Sequence, residues 1–248
     1  SKDARIRLEF NQKNTGSTFA QWNKGVALAQ GEYVWIAESD DYCELNLLET
    51  LVPLLDENPN LGIAFAQSTI VDEAGKTINS FNENYKYIYK TDRWEHDFLA
   101  DGRKECADFL IFSNTIPNAS GALMRKKIYL DCGGAEMGWR LNGDWFFYVK
   151  MLLRSDLAYV AQHLNYFRQH TQTQRHKANA NHVVYDEIIH TLDFIVANTA
   201  VDPIKLRKAY KNVAEWWGGS LFRQDIGKTY FKENWRLFKF FRKKRPRI

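Results

Sequence analysis

Apolar residues recur at two spacings along this chain, every second residue and every third or fourth, and the two alternate. Arg5-Ile6-Arg7-Leu8-Glu9-Phe10 alternates charged with apolar side chains, the period of a half-exposed strand. Asn14-Thr15-Gly16-Ser17 follows with turn and N-cap residues, and Phe19, Ala20, Asn23, Ala27 and Leu28 then predict a helix ending near Gly31. Residues 32–37 (Glu-Tyr-Val-Trp-Ile-Ala) read as a buried strand. From Glu44 to Glu57, Leu47, Leu48, Leu51, Leu54 and Leu55 fall at helical spacing before Asn58-Pro59-Asn60 stops the run, and Ile63 to Val71 predicts a further strand.

Asp72-Glu73-Ala74-Gly75 has turn composition. Residues 79–117 are aromatic and polar without a clear period, and read as a long excursion with one short helix near Glu105 to Phe112. Ser120 to Met124 predicts a strand, and Lys126 to Asp131 a short helix stopped by Cys132-Gly133-Gly134. A helix from Asp144 to Leu153 and a strand from Leu157 to Phe167 follow. From Val183 onward the pattern is helical, with breaks expected at Asp202-Pro203 and Gly218-Gly219. The order β-α-β-α-β predicts an α/β fold, a mostly parallel sheet with covering helices followed by a C-terminal helical extension. The expected division is residues 1–175 and 176–248.

Composition narrows the class. With 248 residues, 45% of them hydrophobic and 15% aromatic, the chain has the material for a substantial core. No apolar run approaches the roughly 20 residues that span a bilayer, and no basic-then-apolar leader opens the chain, so a cytoplasmic protein is expected. Three cysteines without metal-ligand spacing fit reduced thiols and give no zinc signature. The formal charge of +4 is uneven: residues 231–248 carry eight Lys or Arg against one Glu, leaving about −3 for the rest. Basic character confined to a tail disfavours a nucleic-acid-binding surface.

Glu38-Ser39-Asp40-Asp41 concentrates three carboxylates where the strand at 32–37 runs out into a loop. Ligands of open α/β sheets bind at the carboxyl ends of strands, and hard oxygen donors there suit Mg²⁺ or Mn²⁺. The plainer use of these acids is to cap the helix starting near Glu44. A nucleotide-binding sheet normally opens with a buried strand and a phosphate- or base-contacting turn; this sequence starts without one and reads as truncated at its front. No P-loop, Ser-His-Asp set or Cys-rich cluster is present.

Asn14-x-Gly16, Gln21-Trp22-Asn23-Lys24-Gly25, Gly31-Glu32-Tyr33-Val34-Trp35-Ile36-Ala37 and Glu38-Ser39-Asp40-Asp41 together resemble the donor-binding half of family 2 glycosyltransferases of the GT-A (Rossmann-like) fold. The resemblance continues through Leu123 to Lys127, Cys132-Gly133-Gly134, Gly143-Asp144-Trp145-Phe146 and Tyr166-Phe167-Arg168-Gln169-His170, covering residues 5 to 170.

The resemblance implies an inverting, metal-dependent, hexosyltransferase-like enzyme moving a sugar from a nucleotide-diphosphate-sugar donor to a hydroxyl acceptor, in bacterial cell-surface polysaccharide biosynthesis. It implies Mn²⁺ or Mg²⁺ on Asp41 and Asp40, with Glu38 in place of the more usual Asp reaching the ribose or the metal's water shell. It implies Asp144 as general base, with Gly143 where the family often has a second acid; the plainer use of Asp144 is as N-cap of its helix. Arg168 and His170 match the residues approaching the diphosphate and metal, His170 among the metal ligands, and Asn14, Gly16 and Asn23 match the nucleoside-facing loop and helix. Trp22 stands where many members have Arg and is expected to pack on the sheet, while Trp139 and Arg140 fall where acceptors bind.

Other readings of the residues stay open: a sugar nucleotidyltransferase, which would want an early Gly-rich loop, or a non-catalytic nucleotide-sugar-binding or scaffold protein. In the tail, Phe231, Trp235, Phe238 and Phe241 share a helical face beside Lys232, Arg236, Lys239, Arg242 and Lys243. That pattern predicts either an interfacial helix at the inner face of a membrane, suiting a glycan or lipid-linked acceptor, or a helix whose aromatics pack on the body.

Overall fold

The computed structural model describes residues 3–170, 183–221 and 230–244. The expected boundary at 175/176 lies outside the described residues.

Helix α1 (Thr18–Leu28) starts where Ser17 Oγ accepts from the Ala20 amide at 3.3 Å, and it buries Phe19, Trp22 and Val26. Strand β1 (Tyr33–Trp35) and the short β2 (Tyr42–Cys43) flank the acidic loop. Helix α2 (Leu47–Glu57) buries Leu47, Leu51 and Leu55, the i, i+4, i+8 face that its pattern announced. Strand β3 (Leu61–Val71), buried along its whole length, turns through Asp72–Gly75 into β4 (Thr77–Ser80). Gly75 takes a φ of +84°, the left-handed conformation in which a Cβ is costly. After α3 (Phe81–Tyr89), β5 (Phe98–Ala100) and α4 (Gly102–Glu105), the chain forms β6 (Ala122–Arg125), α5 (Lys126–Asp131), α6 (Gly143–Leu152) and β7 (Asp156–Arg168). Helices α7 (Val183–Asn198), α8 (Pro203–Ser220) and α9 (Phe231–Lys244) complete the described chain.

The sheet runs β1-β6-β3-β7-β2, with β4 added to β3 and β5 to β7. Strands β3 and β7 pair in parallel, and β1 runs the same way because β6 lies antiparallel between it and β3. The α/β fold class holds, with core strands β1, β3 and β7 sharing one direction. Alternation along β3 serves both faces. Ala64 and Ala66 meet the leucines of α2, while Ile63 and Phe65 join a larger core with α1, α6 and the C-terminal helices. Ile188, Leu192, Tyr210, Trp217 and Leu237 belong to that same core, so the helical extension shares one interior with the sheet.

Three expectations change. Residues 5–10 form no strand: Ile6, Leu8 and Phe10 are 56, 63 and 84% exposed, and alternation holds no strand without a neighbour to pair with. The break expected at Gly218-Gly219 comes one residue later: α8 runs through both glycines and ends at Ser220, with the buried Trp217 Nε1 donating to Asn234 Oδ1 at 3.0 Å. The excursion at 79–117 is ordered around an aromatic cluster in which Trp94 meets Tyr85, Tyr89 and Phe109 with ring centroids 4.8–5.2 Å apart. Contacts between rings distant in sequence carry no local period.

Candidate active site

The loop that follows β1 is pinned from beneath by a buried polar network. Ser120 Oγ accepts from the Glu38 amide at 3.0 Å and donates to Asp41 Oδ2 at 2.8 Å. Asn118 Nδ2 donates to the same oxygen at 2.6 Å, and the Arg168 amide donates to Asp41 Oδ1 at 2.9 Å. Asn118 is itself oriented by Asn165, whose Nδ2 donates to Asn118 Oδ1 and to Ser68 Oγ, both at 2.9 Å. Burial raises the Asp41 carboxyl above its ordinary pKa while the three donors oppose the rise. Both oxygens of Asp41 are thus committed to protein donors that tie β1, β6 and β7 together, a bracing geometry for the residue ranked first among metal ligands by sequence.

Asp40 sits differently. Its Oδ2 lies 3.2 Å from His170 Nε2, at the end of β7. A carboxylate oxygen and an imidazole nitrogen facing one another fit part of a Mn²⁺ or Mg²⁺ shell. Among the described residues no group of three or more His, Cys, Asp or Glu gathers as a ready-made cage. Arg168 is next to this pair, but its guanidinium is engaged by the backbone: Nε donates to Asp40 O at 2.9 Å and Nη1 to Asp72 O and Glu73 O at 3.1 and 3.0 Å. It braces the acidic loop against the β3–β4 turn, a use that the sequence did not predict.

Glu38 and Asp144 line one cavity of about 670 Å³, together with Gly16, Trp139 and Arg140. Burial, then the charges of Asp41, Asp40 and Asp144, pushes the Glu38 carboxyl up from 4.5 to about 7. Asp144 occupies the first turn of α6. It is not the N-cap, since that position is Asn142. Asn114 Nδ2 donates to Asp144 Oδ2 at 3.1 Å, orienting the carboxylate.

The loop leading into α6 is held by a residue of the helical extension. Glu187 of α7 is buried, and its carboxylate accepts from the backbone amides of Arg140, Leu141 and Asn142 at 2.7, 3.1 and 2.8 Å. Trp139 stacks on Phe146, ring centroids 4.6 Å apart and ring planes nearly parallel.

Asn14 and Gly16 form a local turn, Asn14 Oδ1 accepting from the Gly16 amide at 2.9 Å, with Gly16 at φ +65° on the cavity wall. Asn23 is turned away from the cavity. Its Nδ2 donates to Ala135 O at 2.8 Å and its Oδ1 accepts from the Ala135 amide at 2.9 Å and Tyr129 OH at 2.7 Å, clamping the Gly133-Gly134 turn to α1. Trp22 packs in the core, edge-on to Phe19 and Phe147, as expected. Asn114, Asn118, Ser120 and Glu187 were missed in the sequence. The crowding of amide and hydroxyl side chains before β6 was the only available signal, and Glu187 gave none.

Residues 1–132 match the family model described as Glycosyl transferase family 2. An uncharacterised glycosyltransferase of Methanocaldococcus jannaschii is 32% identical over 87 residues, 35% of this chain and 30% of the relative. An uncharacterised Mycobacterium tuberculosis protein is 24% identical over 204 residues, 79% of this chain and 59% of its own length. Residues 1–349 of S. aureus TarS, solved in complex with UDP-GlcNAc, superpose with a TM-score of 0.59 at 14% identity, over 95% of this chain and 64% of TarS, giving the same GT-A fold. The chain spans less than two thirds of each of these relatives. With its acidic loop after β1, its inward-facing Asp144 and a family match over more than half its length, the chain belongs to glycosyl transferase family 2.

Proposed function

We propose that the chain transfers a sugar, with inversion, from a nucleoside-diphosphate donor to a hydroxyl acceptor, and that a divalent cation assists. The observation that carries this reading is the convergence of Glu38, from the end of β1, and Asp144, from the first turn of α6, on one cavity beside the Asp40–His170 pair. Asp144 takes the proton of the acceptor hydroxyl. The acceptor oxygen then bonds to the anomeric carbon from the face opposite the diphosphate, the bond from that carbon to the diphosphate oxygen breaks, and its electron pair leaves with the nucleoside diphosphate. Asn114 holds the Asp144 carboxylate in one orientation, and Glu187 fixes the loop that leads into its helix. Asp40 and His170 would hold the Mn²⁺ or Mg²⁺, which when bound supplies charge neutralisation of the departing diphosphate. Asp41 acts here as a brace, and Trp139 and Arg140 border the acceptor side.

A nucleotide-sugar donor is supported by the family and by the UDP-GlcNAc bound to TarS. A glycan or lipid-linked acceptor in surface-polysaccharide assembly, on the cytoplasmic side of a membrane, is the setting proposed. The test is calorimetry with UDP, GDP, CDP and dTDP, with and without Mn²⁺, followed by transfer assays of Asp144→Asn. Metal-dependent binding of one nucleotide, with transfer lowered about 10²–10⁴-fold in the variant and affinity kept, is expected. Transfer undiminished in Asp144→Asn would remove the base assignment.

A further inference from the structure

Helix α9 carries two apolar stripes. Asn234, Leu237 and Phe241 are buried, with Phe241 against Trp217 of α8, ring centroids 5.6 Å apart. At roughly 100° per residue, Phe231, Trp235 and Phe238 lie about a quarter-turn away and are 71, 51 and 44% exposed. The sequence reading grouped Phe241 with them; packing on α8 takes it to the other stripe. Trp235 and Phe238 stack, centroids 5.5 Å apart at 17°, and Lys239 Nζ lies 5.4 Å from the Trp235 ring.

The charges that α9 itself places beside the exposed stripe are of one sign. Lys232, Lys239 and Lys243 run along one side of it and Arg242 continues it, none with an acidic partner among the described residues. Arg236 and Lys244 are the ones that fasten α9 to the body, through Asp186 and Asp193 of α7. Beside the stripe a cavity of about 560 Å³ between α8 and α9 is lined by Tyr210, Trp217 and Phe238, by Arg207 and Arg242, and by Lys211 with its ion-pair partner Glu215. Protein interfaces are depleted in lysine, whereas exposed Trp and Phe bordered by lysines match the interfacial zone of an anionic bilayer, where rings sit at headgroup depth and ammonium groups reach phosphate.

We propose that this face of α9 docks on an anionic lipid bilayer, Phe231, Trp235 and Phe238 entering the interface and Lys232, Lys239, Arg242 and Lys243 meeting headgroup phosphates. No helix of the described residues is long and apolar enough to cross a membrane, so the contact is peripheral. It goes beyond the transfer reaction and does not depend on it: binding to lipid requires no nucleotide, and loss of either property leaves the other measurable.

The test is co-sedimentation of the full chain with phosphatidylcholine vesicles and with vesicles of phosphatidylcholine mixed with phosphatidylglycerol, over a range of salt. Binding to the anionic vesicles alone, weakening as salt rises, is expected. Each lysine near such a surface contributes about fivefold in partitioning, so Lys232→Gln/Lys239→Gln/Lys243→Gln lowers it about 100-fold, and Trp235→Ser/Phe238→Ser removes the salt-resistant part. All five positions are exposed, and unchanged circular dichroism verifies that the variants fold. Equal binding to neutral vesicles, no binding to either, or wild-type partitioning of the lysine variant would overturn the proposal. So would a self-association abolished by Trp235→Ser without lipid, which would assign the stripe to a second copy.

Discussion

Replacing Glu38 by Gln makes the chain more stable and a poorer binder. In the folded protein the Glu38 carboxyl is raised from 4.5 to about 7, because it is partly buried and faces Asp41, Asp40 and Asp144. An acid whose pKa is higher folded than unfolded holds its proton more tightly in the native state. Stability is therefore greatest at low pH and falls as pH climbs from 4.5 to about 7. At about 1.4 kcal/mol per pH unit across that interval, the ionised carboxylate costs at most about 3 kcal/mol, and residual solvent access at Glu38 brings the expectation to about 2 kcal/mol. Glu38→Gln removes the charge and keeps the shape. Denaturant unfolding in EDTA should show the variant ahead by about 2 kcal/mol near pH 8, a rise of about 4–8 °C in Tm, with the advantage shrinking below about 0.5 kcal/mol near pH 4.5. Metal-dependent nucleotide affinity should fall in the same protein, since a destabilising charge at a ligand site is the kind retained for function. A variant less stable than wild type near pH 8, or a gain that ignores pH, would refute the electrostatic account of the acidic loop.

Asn118→Ala removes a donor to Asp41 and the acceptor for Asn165, and should cost about 2–3 kcal/mol by chemical denaturation, with transfer lost in parallel as the loop loosens. Asn23→Ala breaks two hydrogen bonds to Ala135 and one from Tyr129 and should lower Tm while nucleotide affinity stays within about threefold; a large affinity loss at unchanged stability would return Asn23 to the donor site. Glu187→Ala strips the loop before α6 of its acceptor. A loss of about 3 kcal/mol is expected, with kcat lowered more than nucleotide affinity.

Where function depends on short-range chemistry, the sequence was readable. The leucine face of α2, the Cys132-Gly133-Gly134 stop with both glycines at positive φ, and the acids after β1 are local patterns, and each sits where its pattern placed it. Side-chain duties were less readable. Asp40 and Asp41 are adjacent acids, yet one faces His170 while the other is fixed by Asn118, Ser120 and the Arg168 amide, a division that depends on how β6 and β7 pass beneath the loop. Arg168 and Asn23 were read as ligand contacts from their positions in motifs; in the fold Arg168 Nε and Nη1 donate to backbone carbonyls, and Asn23 bonds the Ala135 backbone and the Tyr129 hydroxyl, partners remote in sequence.

The sequence by itself determined the α/β alternation, the family, the acidic loop and the acid at the start of α6, because strand and helix periods, turn residues and motif order are properties of neighbouring residues. Tertiary structure alone decided which of those acids is a brace and which faces the cavity, that Glu187 of the helical extension grips the loop before α6, and that Phe241 goes inward while Phe231, Trp235 and Phe238 stay out. The physical reason is that a buried carboxylate or ring takes its role from the donors and surfaces that packing brings to it, and those arrive from strands and helices far along the chain.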